Sequence, residues 1–520
     1  MASGRCTKFR AGASLAVLAT SLAVAGCAVG PNFSPAPAPD VTGYVKGRLA
    51  SADPGKGAPN IPGQRFLSGE DVSTRWWAAF KSRPLNELVK ESVNHNPNLQ
   101  AAEAAIKVAR YNALAQRGLF LPQVTGNSTT QQLLIANPQQ IPAVPLLGPQ
   151  YEFSLVTNQL TVSFVPDIWG GNLRAVESLD ATTEQQLFQL EAAYLTLTSN
   201  VVTAAIQEAS LRGQIAATER IIAIEKHLLD ILKRQQNFGQ ASQADVLAQD
   251  AALAQAEELL PPLEKQLAQQ RDLLTSLAGQ YAADEIRQKF DLAHLKLPTN
   301  LPISVPGKLV DHRPDVRAAE ANMHSAAAQV GVAIAARLPN ITLSANGGSA
   351  AFNWPQAFAP GTGFFTLGAA ATAPIFDGLT LYHKQKAAEA ALEQAEAQYR
   401  ATVITAFQNV ADALRALQAD AKAIRAARRA EDAAKASLDI VQKQLEEGQV
   451  NQLSVLNGQQ TYLNAAVIRV QAEANRLSDT AALFMALGGN WPSNCTVPDW
   501  RQCTVGDEPA PNVVADAEGK

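Results

Sequence analysis

The six histidines of this 520-residue chain stand at positions 95, 227, 294, 312, 324 and 383. They form no HExxH motif and no paired ligand spacing, so a zinc hydrolase site has no support here. Asp167-Ile168-Trp169-Gly170-Gly171 is glycine-rich but lacks the GxGxxG spacing that cradles a pyrophosphate. It reads as the junction between a strand and a long helix. The chain holds no nucleophile elbow and no P-loop, and no enzyme is expected. Cys495 and Cys503, eight apart in a tail with Pro, Asn and Gly, have no nearby histidine. In an oxidising compartment they read as a disulfide, with a metal site as the weaker alternative.

Chemistry of a different kind marks the N-terminus. Arg5, Lys8 and Arg10 precede an apolar run from Ala11 to Val24. A basic segment followed by so short an apolar one is a secretory signal, not a membrane span. The next residues, Val24-Ala25-Gly26-Cys27, resemble a bacterial lipobox, in which Cys27 becomes the lipid-bearing first residue. A plain signal cleaved nearby is the alternative. Ala28 in place of Asp, in such lipoproteins, goes with routing to the outer membrane. Apart from a covalent lipid on Cys27, no cofactor is expected. The composition, 47% hydrophobic, 17% charged and 6% aromatic with much Ala and Gln, is that of a helix-rich chain able to bury a core. A formal charge of −4 gives no reason to expect nucleic acid.

Long helices dominate the body of the chain. Gly170 to about Phe238 contains no proline, and Leu187, Leu190, Tyr194, Leu197, Val201 and Ala204 recur at steps of three and four. That is the seam of a helix packed on other helices. At about 1.5 Å per residue it is ~100 Å long, beyond any single globular core. Gly378 to about Glu447 repeats the design with Ala388, Leu392, Ala395, Tyr399, Val403 and Ala406. Each run ends in a glycine turn, Phe238-Gly239-Gln240 or Glu447-Gly448-Gln449, after which a helix returns. Pro261-Pro262 should break the first returning helix.

The repetition is general. Asn96-Pro97-Asn98-Leu99 recurs as Arg313-Pro314-Asp315-Val316, and Leu121-Pro122-Gln123-Val124 as Leu338-Pro339-Asn340-Ile341, both at an offset of 217. The glycine turns match at 209. The chain is a duplication. Between its shorter and longer helices, Ile341, Leu343 and Ala345 alternate with Thr342, Ser344 and Asn346. Phe365, Leu367 and Ala369 alternate with Thr366 and Gly368. One apolar and one polar face suit a transmembrane barrel. In Tyr151 to Val165 the apolar parity switches near Thr157, as at a bulge or where a strand leaves the membrane. Gln123 to Leu134 is polar on both faces, which does not fit a lipid-facing strand. Four strands cannot close a barrel, and an open edge in lipid is forbidden, so several chains must contribute. Three copies give twelve strands.

Taken together, the lipobox with Ala28-Val29-Gly30-Pro31-Asn32-Phe33, the Trp76-Trp77 segment, Arg313 to Glu320 and Leu338 to Leu343 resemble the TolC-like outer-membrane factor lipoproteins of the NodT branch. The resemblance covers roughly 27–490. It implies a mostly α chain with a membrane β part: a homotrimeric twelve-stranded barrel continued by a long α-helical periplasmic barrel. It also implies a periplasmic adaptor and an inner-membrane transporter of the resistance-nodulation-division (RND) type as partners, and outer-membrane lipid around the strands. By the same resemblance Gly239 and Gly448 are periplasmic tips where the adaptor docks. Asp245 falls at the acidic aperture position of the first half and Leu453 at the apolar ring of the second. Asn457 stands there in place of the expected acid. Leu445 and Val450 replace the usual latch-forming Tyr and Arg.

The expected organisation is a signal peptide (1–26), a lipidated leader (27–83), repeat 1 (84–279), an equatorial linker (280–310), repeat 2 (311–489) and a tail (490–520). Strands are expected near 122–135, 151–166, 339–352 and 363–376, and long helices near 170–237 and 378–447. The expected function is an outer-membrane exit duct of a tripartite efflux pump, passively passing drugs or toxic compounds outward. Heavy-metal or protein export in the same fold, and a lipid-anchored periplasmic coiled-coil scaffold without a pore, are the alternatives.

Overall fold

The structure is a computed structural model, and it describes residues 28–37, 39–41, 43–47, 51–52, 62–135, 151–489 and 491. Cys27, Cys495 and Cys503, with the lipid and disulfide expected on them, lie outside the described residues. The first elements are strand β1 (Arg65–Ser68), a 3-10 turn at Trp76–Phe80, helices α1 (Arg83–His95) and α2 (Pro97–Arg117), and strands β2 (Gln123–Ile135) and β3 (Tyr151–Phe164). Helix α3 (Gly171–Asn237) comes next, then α4 (Gln243–Glu258), α5 (Leu260–Leu277) and strand β4 (Asn300–Ile303). The second half runs α6 (Pro306–His312), α7 (Pro314–Ala335), β5 (Asn340–Ala351), the single turn α8 (Trp354–Ala357), β6 (Gly363–Thr372), α9 (Thr380–Glu446) and α10 (Gln452–Ala486). Both halves therefore repeat helix, helix, strand, strand, long helix and return. The return differs: α10 is one helix, whereas its counterpart is parted at Leu259, with Pro261 and Pro262 in the first turn of α5. A proline costs no hydrogen bond there, because first-turn N–H groups have no intrahelical acceptor. The leader supplies β1, which pairs in parallel with β4. Among the described residues no helix is long and apolar enough to cross a membrane.

The chain divides into two compact units. The first comprises residues 1–36, 106–185 and 319–399. Its centre is an antiparallel sheet in the order β2-β3-β5-β6. β2 and β3 pair without interruption from Gln123–Ser163 to Ile135–Tyr151. The parity switch near Thr157 is thus not a bulge. Val124, Leu160, Val162, Leu343, Leu367 and Ala369 share one face; Thr125, Gln159, Thr161, Thr342, Ser344 and Thr366 share the other. On the apolar face Leu160 is 61% and Leu367 74% exposed. Exposed apolar strand faces of this kind are covered by lipid. β2 and β6 are the sheet's edges.

Both long helices of the duplication begin in the same way. Asp167 accepts from the backbone N–H of Asn172 (3.1 Å) and Leu173 (2.7 Å), and Asp377 from that of Leu381 (2.8 Å). Each satisfies donors that a helix start leaves orphaned. The leader is laced to the first of these starts. Val29 N–H donates to the Trp169 carbonyl (3.0 Å), and Arg174, 5% exposed, donates to Val29 O, Asn32 Oδ1 (2.6 Å) and Glu177 (2.7 Å). Glu177 also hydrogen-bonds His324, on whose ring Phe33 stacks at 4.3 Å. At Gly170, φ is +71° and a Cβ would stand 2.6 Å from Ala28 Cα, so only glycine fits.

The second unit comprises 37–105, 186–318 and 400–520. Trp76 and Trp77 are core residues, 2% and 3% exposed, packed with Phe80, Tyr194 and Phe484. The recurring motif at 96 and 313 closes the two return helices. Asn96 Nδ2 donates to the Leu277 carbonyl (3.2 Å), and Arg313 Nη1 to the Ala486 carbonyl (2.7 Å). Asp315 holds the Arg313 guanidinium by two hydrogen bonds, at 2.9 and 2.6 Å. The residue type changed between halves; the carbonyl to be satisfied did not.

Candidate functional site: the helical tips

α3 and α9 end in the same turn. Gln240 N–H reaches back to Gln235 O and Gln449 N–H to Gln444 O, both at 2.8 Å. The glycine between has φ +72° (Gly239) or +73° (Gly448), with no heavy atom within 4 Å of a built Cβ. This is a Schellman end, and glycine is required by its backbone angle rather than by space. Three residues on, the return helices are capped by Ser242 and Asn451.

Asp245 belongs to the cap. Its Oδ2 accepts from Ser242 Oγ (2.6 Å) and Ser242 N–H (3.3 Å), while Ser242 Oγ accepts from Asp245 N–H (3.1 Å). That reciprocal pair is a capping box. Ser454 fills the same place after Asn451, its N–H donating to Asn451 Oδ1. Asp245 and Asn457 are therefore not counterparts across the duplication. Leu453 (61% exposed) and Asn457 both face outward from the first turns of α10. A groove of about 720 Å³ runs between the ends of α3 and α9 and the two turns, lined by Leu228, Leu232, Leu445, Val450, Asp245 and Gln452 among others.

Beneath the groove lies a feature that sequence reading missed. The tip core is apolar, with Ile221, Leu229, Leu253, Leu438, Val455 and Leu463. Glutamines cross it. Gln452 Nε2 donates to Gln249 Oε1 (2.6 Å), and Gln249 Nε2 to the Glu225 carbonyl (3.3 Å), joining α10, α4 and α3. Gln459 is fully buried and has no hydrogen-bond partner on either side-chain atom among the described residues. Burial pushes the Glu225 carboxyl up to about 7. Elsewhere in this unit burial likewise raises Glu191, against the pull of Arg317, and Asp420, which hydrogen-bonds the Asp479 carboxyl, each to about 7. The available signal was position: Gln249 follows Val246 by three and precedes Leu253 by four, so it sits on the apolar stripe.

The family model described as outer membrane efflux protein matches residues 88–280 and 305–489. The chain belongs to the outer membrane efflux protein family. The toluene efflux pump outer membrane protein TtgF of Pseudomonas putida is 28% identical over 500 residues, covering 92% of this chain and 98% of that protein. The pyoverdine export outer membrane protein OpmQ of Pseudomonas putida is 27% identical over 421 residues, 81% of this chain and 89% of the relative. The crystal structure of the CmeC outer membrane channel of Campylobacter jejuni shares the fold with a TM-score of 0.79 at 20% identity, covering 89% of this chain and 95% of that one. This outer membrane efflux protein is thus a channel component of the outer membrane, and its family is one of transport.

Proposed function

We propose that three copies of this protein form the exit duct of a tripartite efflux pump, which passes small organic molecules outward without chemistry of its own. The open sheet supports this most directly: β2 and β6 leave unpaired edges beside an apolar, exposed face. In a membrane those edges must be paired, and copies of the same chain supply the pairing. A periplasmic adaptor meets the tips at Gly239 and Gly448, and an inner-membrane RND-type transporter supplies energy and selects cargo. The names of TtgF and OpmQ, toluene and pyoverdine, point to organic cargo. A lipid on Cys27 anchors the leader.

At the aperture, Asp245 in three copies gives neighbouring carboxylates, Leu453 an apolar ring, and Asn457 a neutral position. A carboxylate ring favours cations over anions. The decisive measurement is oligomeric mass together with single-channel conductance in a planar bilayer. A trimer that conducts is expected, with cation selectivity reduced in Asp245→Asn. Unchanged selectivity removes the ring, and a helical oligomer without a pore removes the duct in favour of a scaffold.

A further inference from the structure

The far end of the β2–β3 hairpin stands beyond the four-stranded part of the sheet. β2 and β3 remain paired up to Ile135–Tyr151, whereas β3 leaves β5 at Val156–Ala351. Side-chain alternation fixes what each face of that end presents. The face that is apolar lower down turns polar, carrying Gln132, Glu152, Ser154 and Asn158. Gln132 Nε2 donates to Glu152 Oε1 (2.5 Å) and Ser128 Oγ to Asn158 Oδ1 (2.6 Å). Leu134 remains there, and Val156 is buried with Ala357 of α8.

The opposite face, polar lower down, turns apolar. Leu133, Phe153 and Leu155 stand on it, with Gln131 among them. Phe153 meets Phe352 edge-on at 5.8 Å, so Phe352 extends the same face beyond β5. Phe364 joins from β6, opposite Gly348. Glycine is needed at 348 because a Cβ would fall 2.0 Å from the Asn158 carbonyl oxygen. A phenylalanine laid across from it covers the bare backbone.

Since the register is unbroken, the inversion comes from the side chains and not from the backbone. Lower down, apolar side chains face lipid and polar ones face the water of the duct. Higher up, the polar outer belt is suited to the aqueous headgroup zone. Apolar side chains turned toward a water-filled bore are stable only when they narrow it and meet one another. We infer that Leu133, Phe153, Leu155, Phe352 and Phe364, repeated by symmetry, form an apolar collar at the outer end of the bore that resists small hydrated ions and admits apolar or amphiphilic organic solutes. The collar rests on the trimeric duct proposed above. A constriction of this type slows ions without stopping them, because they must shed part of their water to pass, whereas apolar solutes carry no such penalty. It makes these residues determinants of what leaves the duct, in addition to whatever the pump selects.

The test uses the full-length protein in cells, with Cys495→Ser and Cys503→Ser removing competing thiols. Single cysteines are placed by Phe153→Cys, Leu155→Cys or Ser154→Cys and treated with a short bis-maleimide. Cross-linked copies are expected from positions 153 and 155 but not from 154. Cross-linking at 154 instead, or at none of the three in a heat-resistant trimer, overturns the collar and leaves the duct standing. Absence of any trimer overturns the duct and the collar with it. A second readout places Thr161→Cys below the collar and adds a sulfonated, membrane-impermeant maleimide from outside. Adding Phe153→Ser and Leu155→Ser should speed that labelling several-fold, with labelling by uncharged N-ethylmaleimide little changed. Equal rates with and without the collar substitutions also overturn it.

Discussion

Asp245 has a local task whatever ring it joins: it closes the cap of α4 with Ser242. Losing that cap costs about 1 kcal/mol. Ser242→Ala should therefore speed amide exchange in the first turn of α4 several-fold, read by hydrogen–deuterium exchange, with the rest of the helix unchanged. Gly448→Ala puts a side chain at φ +73°, at a cost of about 1–2 kcal/mol. Exchange around Gln449 should rise by about ten-fold, since ~1.4 kcal/mol is one decade. Glu225 carries a pH dependence whose sign comes from its environment. Its folded pKa of about 7 lies above the ordinary carboxyl value of 4.5, so the folded state holds the proton more tightly. The stabilisation is complete below about pH 4.5, falls as pH rises, and is gone above about 7. Tip protection should decline across that window in the parent and stay flat there in Glu225→Gln. A parent with no such decline shows that Glu225 does not titrate in the tip core.

Among the elements, the glutamine layer sets the character of the tips. Gln452 donates to Gln249 inside an apolar core, while the Gln452 side-chain oxygen and both Gln459 polar atoms have no partner among the described residues. Replacing a hydrogen-bonded buried pair by apolar groups of similar shape is often neutral or stabilising. Gln249→Leu with Gln452→Leu should accordingly raise protection of the tip helices, whereas either change alone should lower it by stranding its partner. The helices themselves are legible in sequence because their seam is long and regular, and the glycine turns because a positive φ leaves few alternatives. The glutamines are harder to see, because a seam is found from its apolar members, and only the position of Gln249 between Val246 and Leu253 marks it as inside. The polar run of β2, Thr125 to Gln132, lies mostly inside the four-stranded sheet, and what projects past that sheet includes the apolar Leu133 and Leu134. At Thr157 the sequence leaves two explanations open, and only the strand register discards the bulge.

For the molecule as a whole, the junction at Arg174 ties the leader to the start of α3 through Val29, Asn32 and Glu177. Arg174→Ala leaves Glu177 half-paired and the leader carbonyl unmet, and a buried group stranded this way costs about 1–3 kcal/mol. Limited proteolysis should then cut the leader first, with the sheet and helices intact. The two offsets in the duplication, 217 before the strands and 209 at the turns, place their eight-residue difference within the strand hairpins. α3 and α9 keep identical lengths, 67 residues each. Their lengths are matched across the duplication. Seven residues removed from either alone would shorten it by ~10 Å at about 1.5 Å per residue, and the turns at Gly239 and Gly448 would then end helices of unequal length. The same deletion made in both keeps the two helices equal, so length changes in α3 and α9 must come in pairs, while the strand hairpins already differ in length between the halves.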